Sequence, residues 1–77
     1  MKSVKEKLTQ IIADKLQIDV EKVVESANIR SDLNADSLDV LGIVTDIEKY
    51  YKIYIHDEDF YNIRTVGKAI KYIENRI

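Results

Sequence analysis

The chain has 77 residues, no cysteine, no proline, two glycines and one histidine, with a formal net charge of −2. That length allows one domain, 1–77, and a core small enough to depend on regular helix packing. The missing cysteines exclude disulfides and thiolate metal sites, and His56 alone builds no metal centre, so no metal site is expected. The start, Met1-Lys2-Ser3-Val4-Lys5-Glu6-Lys7, is charged and enters a helical pattern with no apolar signal region. No apolar run reaches membrane-spanning length. A soluble, cytoplasmic protein and a monomer are therefore expected.

The charge is unevenly placed. Residues 1–30 carry a net +1, residues 31–60 a net −6 and residues 61–77 a net +3. An acidic middle argues against nucleic acid and for partners with basic patches.

Residues 3–16 predict a first helix. Val4, Leu8, Ile11, Ile12 and Leu16 recur at helical spacing on one stripe. Ser3 is the expected N-cap, with Glu6 completing a capping box. Residues 17–35 predict a long connection with a helical turn near 20–25 capped by Asp19. Its apolar residues Ile18, Val20, Val23, Val24, Ile29 and Leu33 are expected to pin it to the core. It has no linker composition, so no domain boundary falls there.

Residues 37–51 predict the second helix. Advancing about 100° per residue from Ser37 puts Val40, Ile43, Val44, Ile47, Tyr50 and Tyr51 on one arc, the expected buried face. Leu38 and Leu41 fall on the other side, beside Thr45 and Glu48. Apolar residues outside the core arc and next to an acidic patch are either partner contacts or a cover for the long loop. Residues 52–56 have strand propensity but nothing nearby to pair with, so an extended connection with Ile53 or Ile55 buried is expected. Asp57 is the expected cap of a short helix over 57–62, with Ile63 anchoring the next turn. Thr65 caps a last helix from Val66 to near the C-terminus, with Val66, Ala69, Ile70, Ile73 and Ile77 on its buried stripe. The fold class is all-α: a small irregular four-helix bundle of three main helices and one short one, with a long first loop.

Asp36-Ser37 before an apolar run reads first as a helix start. A nucleophilic Ser37 would need a base and an oxyanion hole. The one histidine lies in the 52–56 connection and no Gly-x-Ser-x-Gly elbow exists, so no catalytic residue is expected. Asp36 and Asp39, in the first helical turn, are explained by the helix macrodipole.

The stretch Asp32-Leu33-Asn34-Ala35-Asp36-Ser37-Leu38-Asp39 closely resembles the acyl carrier protein signature, Asp-Leu-Gly-x-Asp-Ser-Leu in its usual form. The resemblance continues through Ile47-Glu48, Ile55-His56-Asp57-Glu58-Asp59 and Ile63-Arg64-Thr65-Val66 to Ala69-Ile70-Lys71-Tyr72-Ile73, and so covers essentially the whole chain. It implies that Ser37 carries 4′-phosphopantetheine from coenzyme A in a phosphodiester link, added by a phosphopantetheinyl transferase. The arm's thiol would hold an acyl chain as a thioester, which makes the protein a shuttle and not an enzyme. It also implies docking of the second helix onto basic patches of acyltransferases and synthases through Asp36, Leu38, Asp39, Leu41 and Glu48. Fatty acid or related lipid and polyketide biosynthesis is the implied setting. An aminoacyl or peptidyl carrier, and an unmodified interaction module using the second helix, are the other readings.

Asn34 stands where the family usually has Gly, and Asn tolerates a left-handed backbone. Gly42, Thr45, Lys49 and His56 also depart from the family's common residues, which points to an unusual choice of partner. Ile43, Val44, Ile47, Ile55, Ile63, Ala69 and Ile73 are the expected lining of a buried acyl chain.

Overall fold

The computed structural model describes residues 3–77, with only the backbone of Tyr61. The expected charged start at Met1 and Lys2 lies outside the described residues. Three α-helices span Val4–Leu16 (α1), Ser37–Tyr51 (α2) and Val66–Glu74 (α3). Two 3-10 segments, Val20–Lys22 and Asp57–Ile63, lie between them. Among the described residues there is no strand, only an isolated antiparallel bridge between Asn28 and Thr65. The class is all-helical as expected. The fourth, short helix is a 3-10 segment, so the four-helix count holds only in part.

Local chemistry sets the helix ends. The Glu6 N–H donates to Ser3 Oγ at 3.2 Å, and the Ser3 hydroxyl donates back to Glu6 Oε1. This differs from the expected box, because Glu6 takes the hydroxyl hydrogen. α1 ends at Gln17 and α2 at Lys52, both left-handed, with φ of 56° and 57°. Asp19 precedes the first 3-10 turn but gives it no side-chain cap, and the turn covers only Val20–Lys22. Likewise His56, not Asp57, occupies the cap position of the second segment, again without a side-chain bond.

The core centres on Leu8, Ile12, Ile47, Val66 and Ile73, and no polar or charged residue among those described is buried. α1 packs against both α2 and α3. Among the described residues, no Cα of α2 comes within 8 Å of one of α3. α1 is thus the shared support of the other two helices.

Four expected core positions are exposed instead. Val20, Val24, Tyr50 and Ile77 are 47%, 49%, 54% and 64% accessible. Tyr50 lies at the edge of the helical arc, about 60° from its centre. There its ring meets the edge of Tyr51 and carries Lys7 Nζ at 4.2 Å from the centroid. Ile77 falls beyond the end of α3, where the helical stripe no longer continues. Val23, Ile29, Ile55 and Ile63 are buried as expected, and Ile18 and Leu33 pack partly against the core.

The long connection is held by backbone bonds to the start of α3. A helix leaves its first four N–H groups without internal partners. In α3 the Val66 N–H donates to Ala27 O at 3.1 Å and the Gly67 N–H to Glu25 O at 2.9 Å. The Lys68 N–H donates to Thr65 Oγ1 at 3.2 Å, the expected cap. The Ile29 N–H donates to Arg64 O at 2.9 Å in the opposite direction. Residues 25–29 therefore serve as the acceptor lining of a helix end, which fixes a loop too long to fix itself.

Candidate functional site

The approach to Ser37 is built from short-range hydrogen bonds. Asn28 Oδ1 accepts the N–H groups of Arg30 and Ser31, each at 3.0 Å. Asp32 Oδ2 closes the knot by accepting the Asn28 N–H at 2.7 Å. Asn34 then takes φ of 59°, the left-handed turn that its side chain tolerates. Ala35 is buried, and the Ala35 N–H donates to Ile29 O at 3.2 Å. The chain enters α2 from a pinned position.

Asp36 and Asp39 cap α2 reciprocally. The Asp39 N–H donates to Asp36 Oδ1 at 2.8 Å, and the Asp36 N–H donates to Asp39 Oδ2 at 3.3 Å. The capping residue is Asp36, and Ser37 occupies the first helical position. Two of the four orphan N–H groups are thereby used. Those of Ser37 and Leu38 remain open donors among the described residues. The Ser37 side chain is exposed, and its hydroxyl has no hydrogen-bond partner among them. An anionic group bonded to that oxygen would meet two free N–H groups and the positive end of the helix dipole. The site fits a phosphodiester.

Around Ser37, Leu38 and Leu41 are 77% and 51% accessible, while Asp36 is exposed and Asp39 half-buried. Neither aspartate is ion-paired among the described residues, whereas Asp46 on the same helix meets Lys15 at 3.3 Å. Glu48, also expected in this group, is half-buried. Its Oε2 accepts the Ile55 N–H at 2.8 Å and so ties the connection after α2 to that helix. Asp36, Leu38, Asp39 and Leu41 lie together around Ser37, and Glu48 lies more than two turns further along. His56 stacks edgewise on Tyr54, with ring centroids 4.7 Å apart, in the segment after α2.

A pocket of about 520 Å³ opens one helical turn beyond Ser37. Ile29, Val40, Phe60 and Ile63 form its apolar wall, with Asn28, Arg30 and Arg64 at its border. It occupies the gap between α2 and the second 3-10 segment. Of the expected acyl-chain lining only Ile63 borders it. Ile43, Val44, Ile47, Ile55, Ala69 and Ile73 are closed into the core. Ile29, which is buried, and Val40 and Phe60, each half-buried, are the wall positions missed. The signal for Val40 is its place on the core arc one turn after Ser37.

The family model described as the phosphopantetheine attachment site matches residues 6–73. The chain belongs to this family of carrier proteins. Among solved structures it is similar to the acyl carrier protein from Enterococcus faecalis, with a TM-score of 0.82 and 38% identity. That match covers 96% of this chain and 94% of the other. Members of the family bear covalent 4′-phosphopantetheine and are carriers, not catalysts. Among the described residues no helix is long and apolar enough to cross a membrane, and no group of three His, Cys, Asp or Glu is placed to hold a metal ion.

Proposed function

We propose that Ser37 is the residue that takes the 4′-phosphopantetheine arm, and that residues 1–77 act as one acyl carrier domain. The observation that carries this is the capping box of Asp36 and Asp39. It holds the helix start rigid and spends both aspartates' backbone N–H groups, yet leaves the Ser37 hydroxyl and the Ser37 and Leu38 N–H groups free. When attached, the arm supplies a thiol that holds the acyl group as a thioester. The chain's own residues present the attachment oxygen, balance the phosphodiester charge through two N–H donors, and contribute no acid or base.

Docking is the second task. Leu38 and Leu41 offer exposed apolar surface beside two carboxylates that no cation among the described residues pairs. Basic patches on a phosphopantetheinyl transferase and on acyltransferases or synthases would complement it, with charge speeding encounter and the leucines supplying burial. Glu48 joins this surface through the carboxylate oxygen not used by Ile55. The setting is fatty acid or related lipid and polyketide synthesis in the cytoplasm, with the carrier as a monomer. The acyl chain folds back into the pocket walled by Val40, Phe60 and Ile63.

The test is to incubate the protein with coenzyme A and a broad-specificity phosphopantetheinyl transferase and measure its mass. A phosphopantetheine gain that is absent in Ser37→Ala supports the assignment. No gain with several transferases overturns it and leaves an unmodified interaction module.

A further inference from the structure

We infer that the pocket beside Ser37 selects an acyl chain bearing an anionic oxygen group, such as the free carboxylate of a dicarboxylic half-thioester, held by Arg30 and Arg64. The inference rests on Ser37 as the attachment residue.

The pocket's composition carries the argument. Its wall is apolar, but both charged residues at its border are arginines and none is acidic. An unsubstituted alkyl chain gains nothing from a guanidinium, and covering one costs solvation. A chain with a carboxylate recovers that cost, because the guanidinium fork matches a carboxylate with two parallel hydrogen bonds. The fold brings the backbones of the two arginines to the same border of the pocket. The Ile29 N–H donates to Arg64 O at 2.9 Å, which fixes the backbone of Arg64 beside the residue preceding Arg30. They also stand out in the charge pattern, since residues 31–60, which supply Val40 and Phe60, have a net charge of −6. Arg64 already engages another group, but a guanidinium has five N–H donors and can serve two acceptors. Val40 lies three residues after Ser37, on the neighbouring turn of the same face, so cargo tethered at Ser37 reaches the pocket along α2.

The experiment uses the full chain loaded at Ser37 with three arms: unacylated, octanoyl, and 7-carboxyheptanoyl of matching length. Thioester cleavage by hydroxylamine is timed. The NMR signals of the Ile29 and Ile63 amides and the Arg30 and Arg64 guanidinium N–H groups are followed. The carboxylate cargo is expected to be cleaved about two- to fivefold more slowly than octanoyl, the range set by a partly exposed ion pair. That difference should shrink with added salt and vanish in the Arg30→Gln, Arg64→Gln double variant. The salt series on the unaltered chain decides the matter if the double variant fails to fold. Equal or better protection of octanoyl overturns the inference, as do arginine signals that move fully with the unacylated arm. Failure to load any arm would overturn the Ser37 assignment as well, whereas loading with equal protection overturns only the cargo preference.

Discussion

Replacing each of the two glycines with alanine should move stability in opposite directions, although both sit in helices with negative φ. Alanine in a helix interior gains about 1 kcal/mol over glycine. What the new methyl meets then decides the sign. At Gly42 it lies 3.3 Å from Cδ and Cε of Lys15, the far end of a flexible side chain. Swinging that chain aside gives up at most the exposed Lys15–Asp46 pair, worth about 0–1 kcal/mol. Gly42→Ala should be neutral to about 1 kcal/mol more stable, raising Tm by up to about 8 °C. At Gly67 the methyl lies 3.1 Å from Glu25 O, the carbonyl that accepts the Gly67 N–H itself. Moving that oxygen weakens the Gly67 bond and shifts the segment whose Ala27 O accepts the Val66 N–H, at about 1 kcal/mol for each bond. A first-turn position recovers less than the full helix gain, so Gly67→Ala should be about 1 kcal/mol less stable. Urea unfolding followed by far-UV circular dichroism measures both. Equal shifts of one sign would refute the clamp. Because residues 25–29 lead into the Asn28–Asp32 knot before Ser37, Gly67→Ala should also slow phosphopantetheinylation, while Gly42→Ala should not.

Asp36→Ala should lose about 1 kcal/mol with the cap, whereas Asp36→Asn keeps the cap but removes the charge. The asparagine variant should therefore unfold like the unaltered chain yet be modified more slowly than it, with the larger deficit at low salt; the same rate as the unaltered chain at both salts would remove Asp36 from the docking surface. Leu38→Ala and Leu41→Ala should change the unfolding free energy by less than about 0.5 kcal/mol, since both side chains are exposed. Each should slow transfer by a partner enzyme about fivefold or more, the effect of losing about 1 kcal/mol at an interface. The Tyr72 hydroxyl donates to Asp59 at 2.8 Å, and Arg76 pairs with the same Oδ2 at 3.3 Å. Burial first, then the bond to Asp59, raises the Tyr72 pKa above the ordinary value of 10.0, and burial raises that of Tyr51. A raised phenol favours the folded state while it is protonated, so this stability is complete below about pH 10 and is lost as pH rises through the folded-state pKa. Tyr72→Phe should cost about 1 kcal/mol near neutral pH and flatten the alkaline fall in the urea midpoint.

The features legible in the sequence are those decided within one helical turn. Ser3, Asp36 and Thr65 are capping residue types in front of apolar stripes, and each caps the helix expected of it. Asn34 adopts the left-handed turn its residue type permits. The features that escaped depend on segments far apart in the chain. Glu48 reaches Ile55 only because α2 ends in a left-handed residue that turns the chain back. The pocket joins Ile29, Val40 and Phe60 from three segments, and no periodicity in any one of them reveals it. The acyl lining expected from core stripes named Ile63, which borders the pocket, together with six residues closed into the core, because stripe membership marks burial and not proximity to a pocket. Tyr50 and Ile77 show the limit of the stripe itself, one at the edge of its arc and the other past the end of its helix.

The positions of the site and the pocket follow from one asymmetry in the packing. α2 packs on α1 and its core-facing residues Ile43, Val44 and Ile47 are buried, while Val40 near its Ser37 end is half-buried and borders the pocket. The Ser37 end of α2 is fixed by the Asp36–Asp39 box and the left-handed turn at Asn34, which lie outside the pocket, and by the Asn28–Asp32 knot at the pocket's border. The far wall of the pocket, Phe60 and Ile63, belongs to a 3-10 segment that packs on α3. Hydrogen-bond geometry in such a segment is poorer than in an α-helix, so its conformation is less costly to shift. With Ser37 as the proposed attachment residue, cargo would enlarge the gap at the Phe60 wall and leave the Asp36–Asp39 box in place. On that proposal partners would meet Ser37 in one orientation whether or not a chain occupies the pocket, because the braced helix end and the 3-10 wall are separate elements.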